Sequence, residues 1–402
     1  EEARSYVLER VPGALDAVDV PVPDAVGLVA AADVTAAELQ PPFANSAMDG
    51  FAVRSADTES APVTLQVVAT TLAGERAADA PVGEAEAVRI MTGAPVPAGV
   101  DAVIPIERVE VLDDGAAVRV NEPVKAGAHV RPAGDDVRPG DVVLPAGVVV
   151  TPAHVGVLTG LGIGRVAVRR RPRVGVLSTG DELVDGPEPL LSGQIRDSNR
   201  PALLAAVAAA GAEPVDLGIA PDNTDGLTRA LMRGVSGCDA IVTSGGVSMG
   251  DVDLVRVVLD VIGEMRWMQI AIKPAKPFAF GLVDGTPVFG LPGNPVSSLV
   301  SYELFARPAI RRLAGHPDDR LDRPCPVAVA PDGLSRHPDG KLHFVRVAVR
   351  VTPDGGFEAR SAGAQGSHQL SAMAGANGLA VVPDGDGVAP GGTVDVLLVG
   401  DL

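Results

Sequence analysis

Between residues 169 and 314, short apolar runs alternate with segments whose apolar residues recur every three to four positions. The runs predict strands at RVGVLSTG, PVDLGIA and CDAIVTSGG, and the periodic segments predict helices at LLAAVAAAGA, TDGLTRALMRGV and DLVRVVLDVIG. Further strands are predicted over 268–273, 278–283 and 287–291, with an Asp284-Gly285 turn between the last two and a final helix from Pro295 toward Leu313. This alternation predicts a mainly parallel sheet with helices on both faces.

The flanking segments have a different pattern. Residues 1–40 begin as a helix and continue extended, residues 41–140 carry short apolar runs between many Pro and Gly residues, and residues 141–168 resume an apolar pattern that we expect to pack back on the first forty. From 315 to 402 the helical period disappears and strand-like runs remain. We therefore predict an α/β and β multidomain fold: a three-layer α/β domain (169–314), an N-terminal β-rich inserted domain (41–140) within an elongated domain (1–40 plus 141–168), and a C-terminal small β-barrel (315–402).

Composition and charge then exclude several classes of protein. The 402 residues include 33 basic and 51 acidic side chains, a net charge of -18, which argues against binding to nucleic acid or to an anionic membrane. The uncharged stretch from 142 to 164 is interrupted by two prolines and five glycines, so it predicts a strand, a turn and a short helix instead of a membrane span. Two distant cysteines and six scattered histidines give no zinc spacing, and with no signal-peptide pattern visible we expect a reducing cytoplasm.

The loops that follow the predicted parallel strands carry the candidate chemistry. They are Ser178–Glu182, Pro221–Asn223, Ser244–Gly246 and Pro292–Pro295, and the carboxyl ends of parallel strands meet at one edge of a sheet. The Gly-Gly pair allows backbone amides to approach a phosphate, while the acidic loops favour Mg²⁺, which joins carboxylates to substrate phosphates. The alternatives are that the carboxylates are solvated turn residues and that Ser248, Asp251 and Asp253 only cap the next helix.

Cationic residues and N-terminal loops complete the list of candidates. In IKPAKPF, two prolines stiffen the backbone around Lys273 and Lys276, which predicts an anion clamp, although surface lysines beside a strand are the alternative. The turn at Pro292–Pro295 leads into a helix N-terminus, a natural site for an oxyanion. The loops around Asp49, Met91–Ala94 and Arg131–Asp136 combine small and polar residues, and each alone is a weak signal.

Seven of these runs together resemble one family. In chain order they are Asn45–Val53, Met91–Pro95, Gly134–Asp136, Ser178–Glu182, Ser244–Ser248, Ile272–Phe278 and Leu291–Ser297. Their joint pattern is similar to the molybdopterin molybdenumtransferases, the MoeA family, which is related to the C-terminal part of gephyrin. The segments around Phe344–Arg346 and Gln365–Ser367 resemble the C-terminal domain of that family.

The resemblance implies an activity, cofactors and partners. A member of this family inserts molybdate into adenylylated molybdopterin, with loss of AMP and a requirement for Mg²⁺, and the product is the molybdenum cofactor. The α/β domain would then be the molybdopterin-binding domain. The family is a homodimer whose cleft lies between the α/β domain of one subunit and the inserted domain of the other. An adenylyltransferase and molybdoenzymes are the implied protein partners.

The resemblance also implies roles for individual residues. Five acids match the functional acids of the family: Asp49, Asp136, Glu182, Asp222 and Asp253, of which Asp49, Glu182 and Asp222 are the implied metal ligands. Ser244, Gly245, Gly246 and Ser248 match the loop that holds the pterin phosphate. Lys273, Lys276, Ser297, Arg346, Ser367 and Ser371 match an oxyanion site for molybdate. Further implied binding residues are Ser46, Thr92, Arg131, Thr179, Gly180, Pro292 and Pro295.

Two other functions stay open at this point. A molybdopterin adenylyltransferase would share the α/β domain but would not need the Asn45–Val53 segment or the β-rich C-terminus. A non-catalytic scaffold in the manner of gephyrin would not need the acidic loops. Gln269 and Ala44 depart from residues often present in the family, which bears on ligand affinity more than on reaction type.

Overall fold

The fold is taken from a computed structural model, which describes residues 1–76, 81–246 and 254–402. Within those ranges, no helix has the length and apolar character needed to cross a membrane. The candidate residues Ser248, Asp251 and Asp253 lie outside the described residues, and so does the start of the helix predicted from Asp253.

The N-terminal region is mainly short strands. Its helices and strands are α1 (Glu2–Arg10), β1 (Ala17–Pro21), β2 (Val34–Thr35), β3 (Asn45–Ser46), β4 (Gly50–Val53), β5 (Val63–Thr71), β6 (Glu86–Ile90), β7 (Ala102–Pro105), β8 (Val109–Leu112), β9 (Ala117–Val120), β10 (Val130–Arg131), β11 (Val142–Leu144), α2 (Pro152–Gly160) and β12 (Arg165–Arg169). Strands β1 and β2 pair with β12 and β11, so the start of the chain does meet the segment after 141. The strand, the turn and the short helix that were predicted in the uncharged stretch from 142 to 164 are confirmed by β11 and α2.

A six-stranded sheet lies within this region, in the order β7-β4-β6-β5-β9-β8. Its core is built from alternate apolar positions, including the fully buried Phe51, Val53 and Leu65, because successive strand residues point to opposite faces. The exact limits of the four domains proposed from the sequence stay a prediction.

The central region has the predicted three layers. Its elements are β13 (Arg173–Thr179), β14 (Leu183–Val184), β15 (Ile195–Arg196), α3 (Asn199–Ala209), β16 (Glu213–Ala220), α4 (Thr224–Gly237), β17 (Ala240–Ser244), α5 (Leu254–Ile262), β18 (Glu264–Gln269), β19 (Ile272–Lys273), β20 (Pro277–Val283), β21 (Thr286–Leu291), α6 (Pro295–Ser301) and α7 (Arg307–Leu313). The main sheet runs β16-β13-β17-β21-β20-β18, and the first four strands are parallel.

Helices cover both faces of this sheet. Leu203 and Val207 of α3 pack on one face with Tyr302, and Leu227 and Leu259 of α4 and α5 pack on the other. Helices α6 and α7 are joined by a π turn at Tyr302–Ala306, so the predicted helix from Pro295 is continuous but not regular.

In this sheet, one predicted strand is wrong and one predicted turn is confirmed. The single strand predicted over 268–273 is wrong: β18 ends at Gln269 in the main sheet, and β19 pairs instead with a strand of the C-terminal region. Apolar periodicity cannot distinguish these two partners. The Asp284-Gly285 turn is confirmed, since both residues have positive φ, 47° and 79°, as a tight hairpin of this kind requires.

The C-terminal region is a small closed barrel. Its elements are β22 (Val327–Ala330), β23 (Leu334–Ser335), β24 (Leu342–Val351), β25 (Phe357–Ser361), α8 (Leu370–Ala374), β26 (Gly378–Val382), β27 (Gly387–Val388) and β28 (Gly392–Leu398). Pairings β24-β25-β22-β28-β26 and β26-β24 close five strands into a ring, which confirms the predicted barrel. The prediction of no helix here is wrong, because α8 is a five-residue helix, too short to show a periodic pattern.

Candidate active site

The carboxyl ends of the parallel strands border a pocket of about 990 Å³. In the strand register, Ser178 lies opposite Ser244, Ser244 opposite Leu291, and Thr179 opposite Ala220, so the loops that follow are neighbours. Nine residues predicted from the sequence line it: Thr179, Gly180, Glu182, Asp222, Ser244, Gly245, Gly246, Pro292 and Pro295. All four candidate loops therefore meet at one edge of the sheet, as the parallel arrangement predicted.

Two acidic loops in the pocket hold each other. The Asp222 amide donates to Asp181 Oδ1 at 3.0 Å, and the Asp181 amide donates to Asp222 Oδ2 at 3.3 Å. These reciprocal bonds fix the loop after β13 beside the loop after β16. Asp181 is one of the two carboxylates of the Ser178–Glu182 loop, but the family resemblance implied a role only for its neighbour Glu182.

The glycine loop approaches the first acidic loop closely. Gly245 has φ 98° and a Cβ there would lie 3.0 Å from Thr179 Oγ1, so a larger residue would strain the backbone and crowd Thr179. The Gly245 amide donates to the Leu291 carbonyl at 3.1 Å. The predicted Ser248 and Asp253 lie outside the described residues.

Asn199 is a residue that the sequence reasoning missed. Its Nδ2 donates to Ser244 Oγ at 2.8 Å and to the Gly293 carbonyl at 2.7 Å, and its side chain lines the pocket. The side chain thus joins the loops after β17 and β21. In the sequence Asn199 stands two residues before Pro201, and this position indicates only the start of a helix.

The barrel brings one buried cation toward the central region. Arg346 on β24 is 0% exposed, and its Nη2 donates to the carbonyls of Ala364 and Gly366 at 2.7 and 3.3 Å. Its Nε and Nη1 have no hydrogen-bond partner among the described residues. Burial lowers the pKa of this guanidinium from its ordinary value. An incompletely paired buried cation favours an anionic ligand.

The loop after β25, whose carbonyls accept the Arg346 hydrogen bonds, contacts the start of α6. The Val296 amide donates to the Ser367 carbonyl at 3.1 Å, and His368, one of the six histidines that give no zinc spacing, lines the pocket. Ser297 is buried in the first turn of α6, whereas Ser371 is exposed on α8. The barrel therefore contributes to one wall of the pocket.

The two predicted clamp lysines are more distant from this arrangement. Among the described residues that line the pocket, neither Lys273 nor Lys276 occurs, although Pro277 does. Lys273 is exposed, with Nζ 3.9 Å from Asp339 Oδ2 of the C-terminal region. Lys276 is also exposed, and its carbonyl accepts a bond from the Ile270 amide at 2.7 Å.

The N-terminal candidates form a separate group. Asp49 Oδ1 accepts bonds from the amide and the hydroxyl of Thr92 at 2.7 and 2.8 Å, and these two donors lower the pKa of the Asp49 carboxyl. Ser46 is linked to the same loop, because its carbonyl accepts a bond from the Gly93 amide at 2.8 Å. Arg131 pairs with Asn45 across β10 and β3.

The last of these candidates, Asp136, is exposed, and its amide donates to the Gln40 carbonyl at 3.0 Å. Within the described chain, the pocket lining includes none of the five N-terminal candidates: Ser46, Asp49, Thr92, Arg131 and Asp136. A single chain thus holds two sets of candidate residues, one in the pocket and one around Asp49.

The donor set of the pocket is compatible with Mg²⁺ only in part. Across residues 1–76, 81–246 and 254–402, no group of three or more His, Cys, Asp or Glu side chains is placed to hold a metal ion. Mg²⁺ is commonly held by one or two carboxylates, with substrate phosphates and water as the other ligands. Glu182 and Asp222 suit that role, while Asp49 does not join them within one chain.

Family models match the chain in three consecutive segments. They are the MoeA N-terminal region (domain I and II) over residues 1–162, a probable molybdopterin binding domain over 175–312, and the MoeA C-terminal region (domain IV) over 328–399. The order is the one expected from the sequence motifs.

Relatives match over nearly the full length. A molybdopterin molybdenumtransferase of Haemophilus influenzae is 39% identical over 397 residues, which cover 98% of this chain and 97% of the relative. Molybdopterin molybdenumtransferase 2 of Mycobacterium tuberculosis is 39% identical over 380 residues, 91% of each chain. The crystal structure of a molybdopterin biosynthesis MoeA protein from Pyrococcus horikoshii OT3 superposes with a TM-score of 0.83 at 29% identity, covering 99% of this chain and 98% of that one. The resemblance seen in the motifs is confirmed, and the chain belongs to the MoeA family.

Proposed function

We propose that this protein is a molybdopterin molybdenumtransferase in molybdenum cofactor biosynthesis: it inserts molybdate into adenylylated molybdopterin, and AMP leaves. The observation that carries the proposal is the pocket in which the Ser244–Gly246 loop faces the acidic residues Glu182 and Asp222. Backbone amides suit the phosphate groups of such a substrate, and the carboxylates suit a cation that neutralises them. The names of the relatives from Haemophilus and Mycobacterium support the same reaction.

In this proposal, each side of the pocket has a distinct task. The missing side chain and the positive φ of Gly245 leave room for a phosphate beside the loop, while the Gly245 amide itself donates to the Leu291 carbonyl. Asp181 and Asp222 hold their loops together through reciprocal hydrogen bonds from backbone amide to carboxylate, so that Glu182 and Asp222 stay at the pocket edge. Mg²⁺, when bound by Glu182 and Asp222, would offset the negative charge of the substrate phosphates.

The oxyanion site is proposed around Arg346. Two of its nitrogen atoms lack partners while the side chain is fully buried, and a molybdate oxygen would satisfy them. Ser297 and Ser367 stand near the contact between α6 and the barrel loop, so they are proposed as neighbouring donors, with Ser371. Lys273 and Lys276 would add positive charge from the adjoining segment, which requires Lys273 to leave Asp339.

We also propose that the active unit is a homodimer in the cytoplasm. The Asp49–Thr92 group is ordered by its own hydrogen bonds but does not line the pocket of its own chain, so a second subunit is proposed to supply it. Asp136 and Arg131 would come from the same subunit. Cys238 and Cys325 are free thiols, which suits a reducing compartment. An adenylyltransferase would deliver the substrate, and molybdoenzymes would receive the product.

The reaction can be tested with purified components. The protein is incubated with adenylylated molybdopterin, Mg²⁺ and molybdate, and AMP release is measured together with activation of a cofactor-free molybdoenzyme. The proposal predicts that both signals depend on molybdate and on Mg²⁺.

Controls distinguish the other functions. Adenylylation of molybdopterin from ATP, without insertion of metal, would identify an adenylyltransferase instead. Binding of substrate with no AMP release at any Mg²⁺ concentration would identify a non-catalytic scaffold.

A further inference from the structure

Asn199 occupies a position that none of the motif residues explains. It is half-buried at the start of α3, it lines the pocket, and its Nδ2 bridges Ser244 Oγ at 2.8 Å and the Gly293 carbonyl at 2.7 Å. Both acceptors lie at strand ends, since Ser244 is the last residue of β17 and Gly293 is in the loop after β21. One amide group therefore fixes the separation of two pocket walls.

The start of α3 is itself held firmly. Arg200, the next residue, is 4% exposed and its guanidinium donates to three carboxylates, those of Asp197, Asp185 and Asp216. The Arg200 Nε to Asp197 Oδ2 distance is 3.0 Å, and the Asp197 side chain is almost fully buried. Because its neighbour is anchored on several sides, Asn199 is presented to the pocket from a rigid element.

The hydrogen bond from Asn199 also determines whether the Ser244 hydroxyl acts as a donor or an acceptor toward a further partner. A serine hydroxyl has one hydrogen to donate and lone pairs that accept. The Asn199 Nδ2 is only a donor, so Ser244 Oγ accepts from it and keeps its own hydrogen for another partner. Ser244 is buried at the pocket lining, and no acceptor for that hydrogen occurs among the described residues, so a pocket ligand with acceptor oxygens can take it.

We infer that Asn199 is a positioning residue for substrate binding: it ties the Ser244 loop to the Pro292–Pro295 loop and commits the Ser244 hydroxyl to donate to a phosphate oxygen of the ligand. The inference rests on the proposed function for the identity of that ligand. It does not make Asn199 a catalytic residue, since its bonds are to the protein and not to reacting atoms.

The first experiment compares Asn199→Ala and Asn199→Asp with the wild-type protein in AMP release from adenylylated molybdopterin. For Asn199→Ala we expect KM to rise about 10-fold while kcat stays within about 2-fold, as the loss of an oriented donor to a charged group predicts. Asn199→Asp keeps the shape but accepts the Ser244 hydrogen and adds negative charge, so its KM should rise further.

Two results would overturn the inference. One is a KM within about 2-fold of wild type for both variants. The other is a smaller KM increase for Asn199→Asp than for Asn199→Ala, because an accepting carboxylate would then serve as well as the donating amide. Asn199→Asp is close in shape to the native residue, which keeps the test decisive if the alanine variant does not fold.

A matched control removes a similar side chain that is not part of the pocket lining. Asn377 also uses Nδ2 to bridge two carbonyls, Val349 at 3.0 Å and Asp401 at 2.8 Å, within the barrel. Asn377→Ala should lower the melting temperature at least as much as Asn199→Ala but leave KM unchanged. A KM increase equal to that of Asn199→Ala would mean that general destabilisation explains both, and the inference would fail.

A second experiment needs no substrate. Hydrogen exchange of the Gly245 amide, which bonds to the Leu291 carbonyl between the two tied loops, is compared in ligand-free wild type and Asn199→Ala. We expect faster exchange at Gly245 and unchanged exchange at Val242 in the strand core. Unchanged exchange at Gly245 would contradict the tie between the loops.

The two experiments separate the possible failures. If the wild-type protein releases no AMP, the proposed function fails while the exchange result still tests the tie. If wild type is active and Asn199→Ala behaves like it, the inference alone fails.

Discussion

The pocket of the α/β region and the Asp49–Thr92 group of the N-terminal region show two ways of ordering acidic residues. In the pocket, Asp181 and Asp222 lie on adjacent strand-end loops, and each carboxylate accepts a hydrogen bond from the backbone amide of the other residue. In the N-terminal group, Asp49 is fixed by one residue, Thr92, through its amide and its hydroxyl. The first arrangement encloses a cavity, whereas the second presents an ionised carboxylate at an exposed surface.

This difference indicates what each region needs from elsewhere. The pocket already has walls and carboxylates within one chain. The Asp49 group has a defined carboxylate whose pKa is lowered, yet it has no share in that pocket. A surface carboxylate that is ordered in advance is suited to complete a site on another subunit, which is the basis of the proposed homodimer.

The largest expected effect comes from the pocket. Asp222→Ala removes a carboxylate of the proposed Mg²⁺ site, and AMP release at limiting Mg²⁺ should fall about 100-fold, because charge stabilisation by a bound cation is worth several kcal/mol. Higher Mg²⁺ should restore part of the rate. Asp225→Ala, in the exposed first turn of α4, is the matched control and should have wild-type activity. Equal Mg²⁺ dependence in the two variants would reject the assignment.

A smaller effect is expected at Arg346, a buried cation of the barrel. Arg346→Met should raise the molybdate concentration for half-maximal rate about 10-fold, since it removes a charge-assisted donor. Stability should change little, because the native guanidinium is buried with two unpaired nitrogens. Molybdate titration and thermal unfolding measure the two quantities.

Arg336→Met provides the contrast within the same barrel. Arg336 is also buried but donates to Asp339 and Asp384 at 2.8 and 2.6 Å, so its loss should lower the melting temperature more than Arg346→Met does. The folded variant should keep the wild-type dependence of its rate on molybdate concentration. The reverse result, a destabilised Arg346→Met with native molybdate dependence, would make Arg346 a structural residue.

The smallest effect concerns the Asp49 group. Thr92→Val removes the hydroxyl donor and keeps the amide donor, so the pKa of the Asp49 carboxyl should rise toward its ordinary value. If ionised Asp49 is required, the acidic limb of the pH–rate profile moves to higher pH, with little change at neutral pH. The pH dependence of kcat/KM in wild type and variant tests this. An unmoved acidic limb would separate Asp49 from the reaction.

The sequence predicted the layers of the α/β region because its apolar periods are local and strong. The convergence of Ser178–Glu182, Asp222, Ser244–Gly246 and Pro292–Pro295 followed from parallel strands alone. Other features depend on long-range contacts that no local pattern carries. Asn199 looked like an ordinary residue at a helix start, and the pairing of Lys273 with Asp339 joins segments 66 positions apart in the chain. The split between β18 and β19 has the same origin, since the choice of partner strand is made in three dimensions.

The most direct test of the account mixes two inactive chains. Asp49→Ala and Asp222→Ala proteins are dissociated, combined in equal amounts and reassociated, and AMP release is measured. If each site takes Asp49 from one subunit and Asp222 from the other, activity should return to about a quarter of wild type, since half of the dimers are mixed and each mixed dimer has one intact site. No recovery, with mixed dimers shown to be present, would contradict a site shared between subunits.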